Sequence, residues 1–269
     1  MKLDHKGAKI YENLGDVPTY DSTPKKVFIS QPRYLPNLSY LKKILDSDIF
    51  IILDDVQINK RAYQHRNKMV RKGHLPKWLT IPLATGNREE IRSSMIEKTF
   101  SFNLHFNTID NWYKPIKGGY DDTYYLEYMN YLSSILEDDD NHNLGEVLAF
   151  GLHRLLTDLG YKGKVVYSSD LSQIINDRLG IIVQGKQKLM LLCREVYGNG
   201  LIVGTGAADY GLTANYGNLY NIDVDLRDYE VKGYEGTPEQ HLPFAHFELI
   251  GENVKDLLEN KMINYGIKR

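Results

Sequence analysis

The chain has 269 residues, of which 42% are hydrophobic and 25% charged, with 33 Lys and Arg set against 35 Asp and Glu. This composition excludes disorder as the main state, and a formal net charge of -2 gives no general attraction to nucleic acid or to an anionic membrane. Cys193 is the single cysteine, the opening residues lack the apolar core of a signal peptide, and no run reaches the roughly 18 apolar residues of a membrane span, so a cytoplasmic protein without a disulfide is expected.

Residues 1 to 24, with Gly7, Gly15, Pro18 and Pro24, read as a polar extension ahead of a single α/β domain over 25–269. Val27-Phe28-Ile29 and Ile49-Phe50-Ile51-Ile52-Leu53 are continuous apolar runs, the pattern of strands in a parallel sheet covered on both faces. Between them Leu38, Leu41, Ile44 and Leu45 recur at helical spacing, which predicts a crossover helix. Ser30-Gln31-Pro32 and Asp54-Asp55-Val56-Gln57 then follow neighbouring strand ends, where ligands collect in open α/β sheets. The next twenty residues are dense in Lys and Arg. Arg61, Arg66 and Lys68 directly follow the acidic strand end, and forked guanidinium groups match phosphate oxygens, so this run is a candidate phosphate or diphosphate clamp; the alternative is a solvated loop. Trp78 to Leu83 reads as a strand, with Pro82 and the Gly86-Asn87 turn at its end.

Helical patterns cover 103–115, 123–137 and 143–159. The last starts at Asn143 as N-cap with Glu146 three residues on, carries Leu148, Leu152, Leu155, Leu156 and Leu159 as an apolar stripe, and stops at Gly160. This helical section, about 103–160, is read as an insert. The β-α-β pattern returns with Lys164–Tyr167 as a strand and Ser168-Ser169-Asp170 at its end. A helix from Gly185 to Tyr197 and the strand Leu201–Val203 follow, with Gly204-Thr205-Gly206-Ala207 at the exit. The predicted architecture is a Rossmann-like parallel sheet flanked by helices, its strand order left open.

Several residues can carry chemistry. Asp54 and Asp55 can act as a general base, bind a sugar hydroxyl or hold a divalent cation with ligand phosphates, although adjacent strand residues face opposite ways unless the backbone turns. A turn or helix cap is the structural alternative. Gly204 and Gly206 allow a ligand to approach the backbone, with Asp209 as a nearby carboxylate; a simple tight turn is the competing reading. Gln31, stiffened by Pro32, can orient a base, a ribose or an acyl amide, or merely bond within its loop. Among His65, His105, His241 and His246 the preferred candidates for proton transfer are His105 on its helix and His241 beside Gln240, although a lone histidine is more often structural. There is no Walker A loop, H-E-x-x-H pair, paired-cysteine zinc pattern or G-x-S-x-G elbow, and the apolar setting of Cys193 argues against a reactive thiolate.

Taken in order, QPRYLPNLSYLKKILDSDIFIILDDVQ, Arg66-Asn67, Trp78–Pro82, Tyr167-Ser168-Ser169, Gly204–Ala207 with Asp209-Tyr210, and Gln240 with Phe244 make a set that resembles the WbqC-like family over roughly residues 27 to 258. This family of bacterial proteins is associated with O-antigen and other surface-polysaccharide gene clusters. Members usually carry His immediately before Gln-Pro, and here Ser30 puts a hydroxyl in that place. The resemblance implies a role in surface-glycan biosynthesis, such as lipopolysaccharide O-antigen. Joined to the residues above, the expected function is a transferase that modifies a nucleotide-linked amino sugar by N-acyl transfer from an acyl donor. Asp54, Asp55, His105 or His241 would take the amine proton. Ser30, Gln31, Tyr34, Gln57, Asn67, Ser169, Gly204, Gly206, Asp209, Tyr210 and Gln240 would contact substrate, and Arg61 and Arg66 its diphosphate. The alternatives are carboxylate activation or nucleotidyl transfer with Mg-ATP, and a non-catalytic protein that binds a glycan intermediate. No resident metal, nucleic-acid partner or membrane span is expected, and a homodimer is compatible with the sequence.

Overall fold

A computed structural model describes residues 25–59, 61–69, 77–84, 89–113, 143–237, 241–244, 247 and 252–265. In chain order the strands are β1 (Lys26–Ser30), β2 (Ile49–Ile52), β3 (Arg66–Met69), β4 (Lys77–Thr80), β5 (Lys164–Tyr167), β6 (Gly200–Val203), β7 (Asp223–Leu226), β8 (Tyr229–Val231) and β9 (Met262–Asn264). The α-helices are α1 (Leu38–Leu45), α2 (Phe102–Tyr113), α3 (Leu144–Asp158), α4 (Ser168–Leu179), α5 (Gly185–Glu195), α6 (Ala214–Asn218) and α7 (Val254–Asn260). The chain divides into two compact units. One takes the residues up to Ser30, Lys43–Leu53 and Tyr161–Arg227, and the other Gln31–Lys42, Asp54–Gly160 and the residues from Asp228 on.

The first unit is built on a five-stranded parallel sheet in the order β5-β2-β1-β6-β7, flanked by helices in Rossmann-like fashion. Its central strands are apolar because they are covered on both faces: all four residues of β2 are buried, and Val27, Ile49, Ile51, Met190, Leu192 and Leu201 meet in one core. Burying each such side chain stabilises the fold by about 1.5–3 kcal/mol. The two edge strands are more polar, β7 reading Asp-Val-Asp-Leu and β5 opening on an exposed lysine.

The order places β1 centrally, with β2 and β5 on one side and β6 and β7 on the other, so the sheet changes direction of growth at β1. The carboxyl ends of β1 and β6 flank that switch point. β1 stays paired with β2 as far as Ser30 opposite Ile52, but its last partner on β6 is Ile202 opposite Phe28, although both strands run on. The two strands therefore part where a Rossmann-like sheet opens its ligand crevice.

The second unit contains two antiparallel ribbons, β3-β4 and β8-β9, with α2, α3 and α7. In the first ribbon Asn67, Met69 and Leu79 turn inward and are buried, while Arg66, Lys68, Trp78 and Thr80 share the other face, with Arg66 opposite Thr80 and Lys68 opposite Trp78. The start of α3 follows the predicted cap: the Asn143 side chain accepts from the Glu146 amide at 3.1 Å.

The bounds of one expected strand need correction. The strand expected from Trp78 to Leu83 is Lys77–Thr80, and it pairs with β3, which lies inside the basic run. Ser168-Ser169-Asp170 stands at the end of β5, as expected, in the first turn of α4, which starts directly from the strand. The 1–24 extension and the helix expected at 123–137 lie outside the described residues.

Candidate functional site

In the first unit, the residues of interest stand at the carboxyl ends of the strands. Ser30 closes β1 beside the switch point, half-buried, and Gly204 opens the 3-10 turn Thr205–Tyr210 that follows β6. Gly211 ends this turn in the left-handed region at φ 73°, its amide donating to the Ala208 carbonyl at 2.8 Å and that of Leu212 to Ala207 at 3.1 Å. Gly211 is thus required by the backbone. Gly206 is not: it is exposed, its φ is not positive, and no protein atom lies within 4 Å of where a Cβ would stand. Asp209 and Tyr210 are exposed at the end of the turn. Ser169 lies in the first turn of α4, after β5, and β5 pairs with β2, so the sheet puts it two strands away from Ser30. Sequence reading overlooked Arg227 just past β7, which donates to Asp46 at 3.0 Å and to Asp225 at 2.8 Å with little exposure of any partner.

The second unit starts its chemistry at the two strand ends. Leu53 donates its amide to the Ser30 carbonyl at 2.9 Å, so the next residues along, Gln31 and Asp54, begin side by side. The turn they enter is held firmly. Leu35 sits in the left-handed region at φ 48°, unusual for a buried leucine. The Asn67 side-chain amide donates to the carbonyls of Leu35 at 2.6 Å and Tyr34 at 3.3 Å, and the Tyr40 hydroxyl donates to that of Gln31 at 3.0 Å. Gln31 Oε1 accepts from Nε2 of Gln64, which is buried.

Tyr34 and His105 share a buried hydrogen bond of 2.7 Å between hydroxyl and Nε2. Burial holds the imidazole down to a pKa of about 4, so at neutral pH it is uncharged and serves as a support for the phenol. Asp54 and Asp55 are separated by the fold: β2 ends at Ile52, the backbone bends at Asp55-Val56, and Asp54 is buried while Asp55 is half-buried. Across from them runs the segment 89–92. Arg92 donates its amide to the Asp54 carbonyl at 3.0 Å, Ile91 donates to Val56 at 3.0 Å, and Gln57 pairs with Glu90. The Arg92 guanidinium bonds to Glu90 at 2.6 Å, which with the charges of Asp54 and Asp55 raises its pKa further. The start of α3 fixes this segment. Asn143 Nδ2 donates to the Arg92 carbonyl at 2.6 Å, and a Cβ on Gly145 would stand 2.7 Å from the Arg92 Cα, so only glycine fits there.

The cations of the basic run share an aromatic platform. Arg66 stacks 4.3 Å from the Trp78 ring, Lys68 lies 5.2 Å from it, and Tyr63 tilts against it at 6.1 Å. Arg66 also donates to the Arg61 carbonyl at 2.6 Å. Trp78 remains 41% exposed, leaving a surface that a ligand can reach.

His65 is buried against the Ile81 carbonyl at 2.9 Å, and His241 is exposed near Pro243, which pairs with Asn37. Gln240 and His246 lie outside the described residues. Cys193 is buried and its thiol is pushed up to about 12, as expected of a packing residue. Sequence reading missed Gln64, Arg92 and Arg33; only Arg33 carried a signal, its place inside Gln-Pro-Arg-Tyr-Leu-Pro. Among the described residues no group of three or more His, Cys, Asp or Glu is arranged to hold a metal ion, and no helix is long and apolar enough to cross a membrane.

Comparison with known proteins agrees with the resemblance in the sequence. An uncharacterised protein of Mycobacterium tuberculosis is 26% identical over 189 residues, which cover 69% of this chain and 75% of the relative. No solved structure gives a significant match. A model of the WbqC-like protein family matches residues 31–246, which include the Gln31 turn, the aspartate pair, the basic ribbon and the glycine turn after β6. The chain belongs to the WbqC-like protein family.

Proposed function

We propose that this protein is a transferase acting on a nucleotide-linked amino sugar in the biosynthesis of a bacterial surface glycan such as O-antigen, and that the reaction is N-acyl transfer from an acyl donor. The observation that carries this reading is the adjacent start of Gln31 and Asp54 at paired strand ends, with Asp55 on the following bend and Arg92 on the segment that runs across from it. Asp55, the more open carboxylate, takes the proton from the sugar ammonium. The freed amine attacks the acyl carbonyl carbon. A C–N bond forms while the carbonyl electron pair moves to oxygen, and collapse of that oxyanion expels the leaving group with its bonding pair, the second proton of the attacking nitrogen going to that leaving group. Gln31, positioned by Gln64, orients the acyl amide. Arg61, Arg66 and Lys68 hold the diphosphate, with Trp78 as the surface on which an attached base can stack. Ligand roles for Ser30, Ser169, Gly204, Gly206, Asp209 and Tyr210 belong to the first unit, and that of Gly206 is tested separately below.

The test is to incubate the purified protein with nucleotide-linked amino sugars and acyl thioesters and to follow the sugar by mass spectrometry. A mass increase equal to the acyl group, absent with Asp55→Asn, is expected. No increase under any pairing overturns the reading. Pyrophosphate release that depends on Mg-ATP and a free carboxylate would replace it with carboxylate activation.

A further inference from the structure

Gln31 and Gln64 meet through one hydrogen bond, in which Gln64 Nε2 donates to Gln31 Oε1. Gln64 is 2% exposed and Gln31 is half-buried, so the pair has an inner and an outer member. The Gln31 backbone is fixed as well, its carbonyl accepting from the Tyr40 hydroxyl at 3.0 Å. The orientation of the terminal amide is then what decides how Gln31 meets a ligand.

An amide carries an acceptor oxygen and a donor nitrogen on opposite sides of one carbon. With the oxygen held inward by Gln64, the nitrogen and its two N–H groups turn away from the buried partner. The inner side of the contact favours this arrangement. Turning over one amide alone would set oxygen against oxygen or nitrogen against nitrogen. Turning over both would put the N–H groups of Gln64 where its Oε1 now lies, a buried place in which that atom has no hydrogen-bond partner among the described residues. Two unpaired buried donors cost more than one unpaired acceptor.

We propose that Gln64 is a positioning residue that makes Gln31 a donor toward its ligand, so that the group bound there is an acceptor oxygen. On the acyl-transfer reading above, on which this identification rests, that atom is the acyl carbonyl oxygen. An ammonium has only donors to offer, so it is refused at Gln31 and goes to Asp55. As the C–N bond forms and the carbonyl pair moves onto oxygen, the contact with Gln31 Nε2 becomes charge-assisted and strengthens. Neither glutamine forms a bond to the substrate or gives up a proton.

Two measurements on the full chain test the proposal. The first needs no substrate. With glutamine side chains labelled with 15N, and Gln31→Leu and Gln64→Met used to assign the signals, the Gln31 amide protons are expected to exchange with water at least about tenfold faster than those of Gln64. The second follows acyl transfer across pH. Gln64→Glu can donate to Gln31 Oε1 only while its carboxyl is protonated, and burial raises that pKa above the ordinary glutamate value of about 4.3. As pH rises through the raised value, the carboxylate draws in Gln31 Nε2 and turns Oε1 to the ligand. There kcat falls roughly 100-fold, the loss of one oxyanion donor, while KM for the sugar is little changed and wild-type kcat does not fall. A merely structural role for Gln64 would lower kcat alike at every pH. The proposal is overturned if the Gln64 amide protons are the faster-exchanging pair, or if Gln64→Glu follows the wild-type pH profile. Should Gln64→Glu fail to fold, the exchange measurement on wild-type protein decides. If wild-type protein transfers no acyl group yet Gln31 is the faster-exchanging amide, the transferase reading fails and the donor orientation stands.

Discussion

Replacing Asn67 by alanine probes how the Gln31–Leu35 turn is held. The side chain is 4% exposed and gives its amide to the Leu35 carbonyl at 2.6 Å and, more weakly, to that of Tyr34 at 3.3 Å. Asn67→Ala leaves those acceptors without this donor in a buried place, which costs about 1–3 kcal/mol. The left-handed backbone at Leu35 holds about 1–2 kcal/mol of strain that Asn67 now balances. The expected destabilisation is about 1–3 kcal/mol, less whatever part of that strain the freed turn releases. Urea unfolding followed by tryptophan fluorescence is the assay, since both tryptophans, Trp78 and Trp112, belong to the second unit. Asn67→Asp supplies the sign control. A carboxylate facing two carbonyls has its pKa raised in the folded state, so the deficit is smallest below the ordinary aspartate pKa and grows as pH rises through the folded value. An Asn67→Ala protein within about 0.5 kcal/mol of wild type, or an Asn67→Asp deficit that does not change with pH, would refute this reasoning.

His105 resists protonation when folded, with a pKa of about 4 against 6.5 unfolded, so its contribution is complete above pH 6.5 and is lost as pH falls towards 4. That loss is about 3 kcal/mol, and His105→Gln should flatten the acid limb of the stability profile; an unaltered limb counts against the assignment. Gly211→Ala should cost about 1 kcal/mol in thermal unfolding because of its positive φ, whereas Gly206→Ala should leave stability unchanged. If a ligand lies against the turn after β6, Gly206→Ala weakens substrate binding all the same; unchanged affinity would remove Gly206 from the candidate site. Arg227→Met strips the shared cation from Asp46 and Asp225 and should destabilise by about 1–3 kcal/mol, a partly exposed network being worth less than a fully buried one. Equal melting temperatures for variant and wild type would show the network to be inert.

The parts of the fold legible in the sequence are those where burial is symmetrical or a local signal is strong. β1, β2 and β6 carry the apolar runs Val27–Ile29, Ile49–Ile52 and Leu201–Val203 because both faces are covered, and α3 announces itself through Asn143 and Glu146. β3 was hidden because its outward positions are Arg66 and Lys68 and one inward position is Asn67, so alternation was masked by charge. α4 was hidden because it begins on the last residue of a strand with no capping side chain. β7 alternates aspartates with apolar residues at a sheet edge, a pattern too short to separate from a turn. At the site, Gln31 and the aspartates were visible as polar residues after strands. Their partners were not: Gln64 meets Gln31 from 33 residues away, and the Arg92 amide reaches the Asp54 carbonyl only once the chain has folded.

The division of the chain bears on how the protein can be dissected. The polypeptide changes unit after Ser30, Lys42, Leu53, Gly160 and Arg227, so neither half is an uninterrupted stretch of sequence. No truncation can yield one of them intact, and α1 itself is split between the two memberships. Domain-swap and minimal-fragment strategies will therefore fail at every one of these joints, and a protease that nicks near any of them should damage both bodies at once.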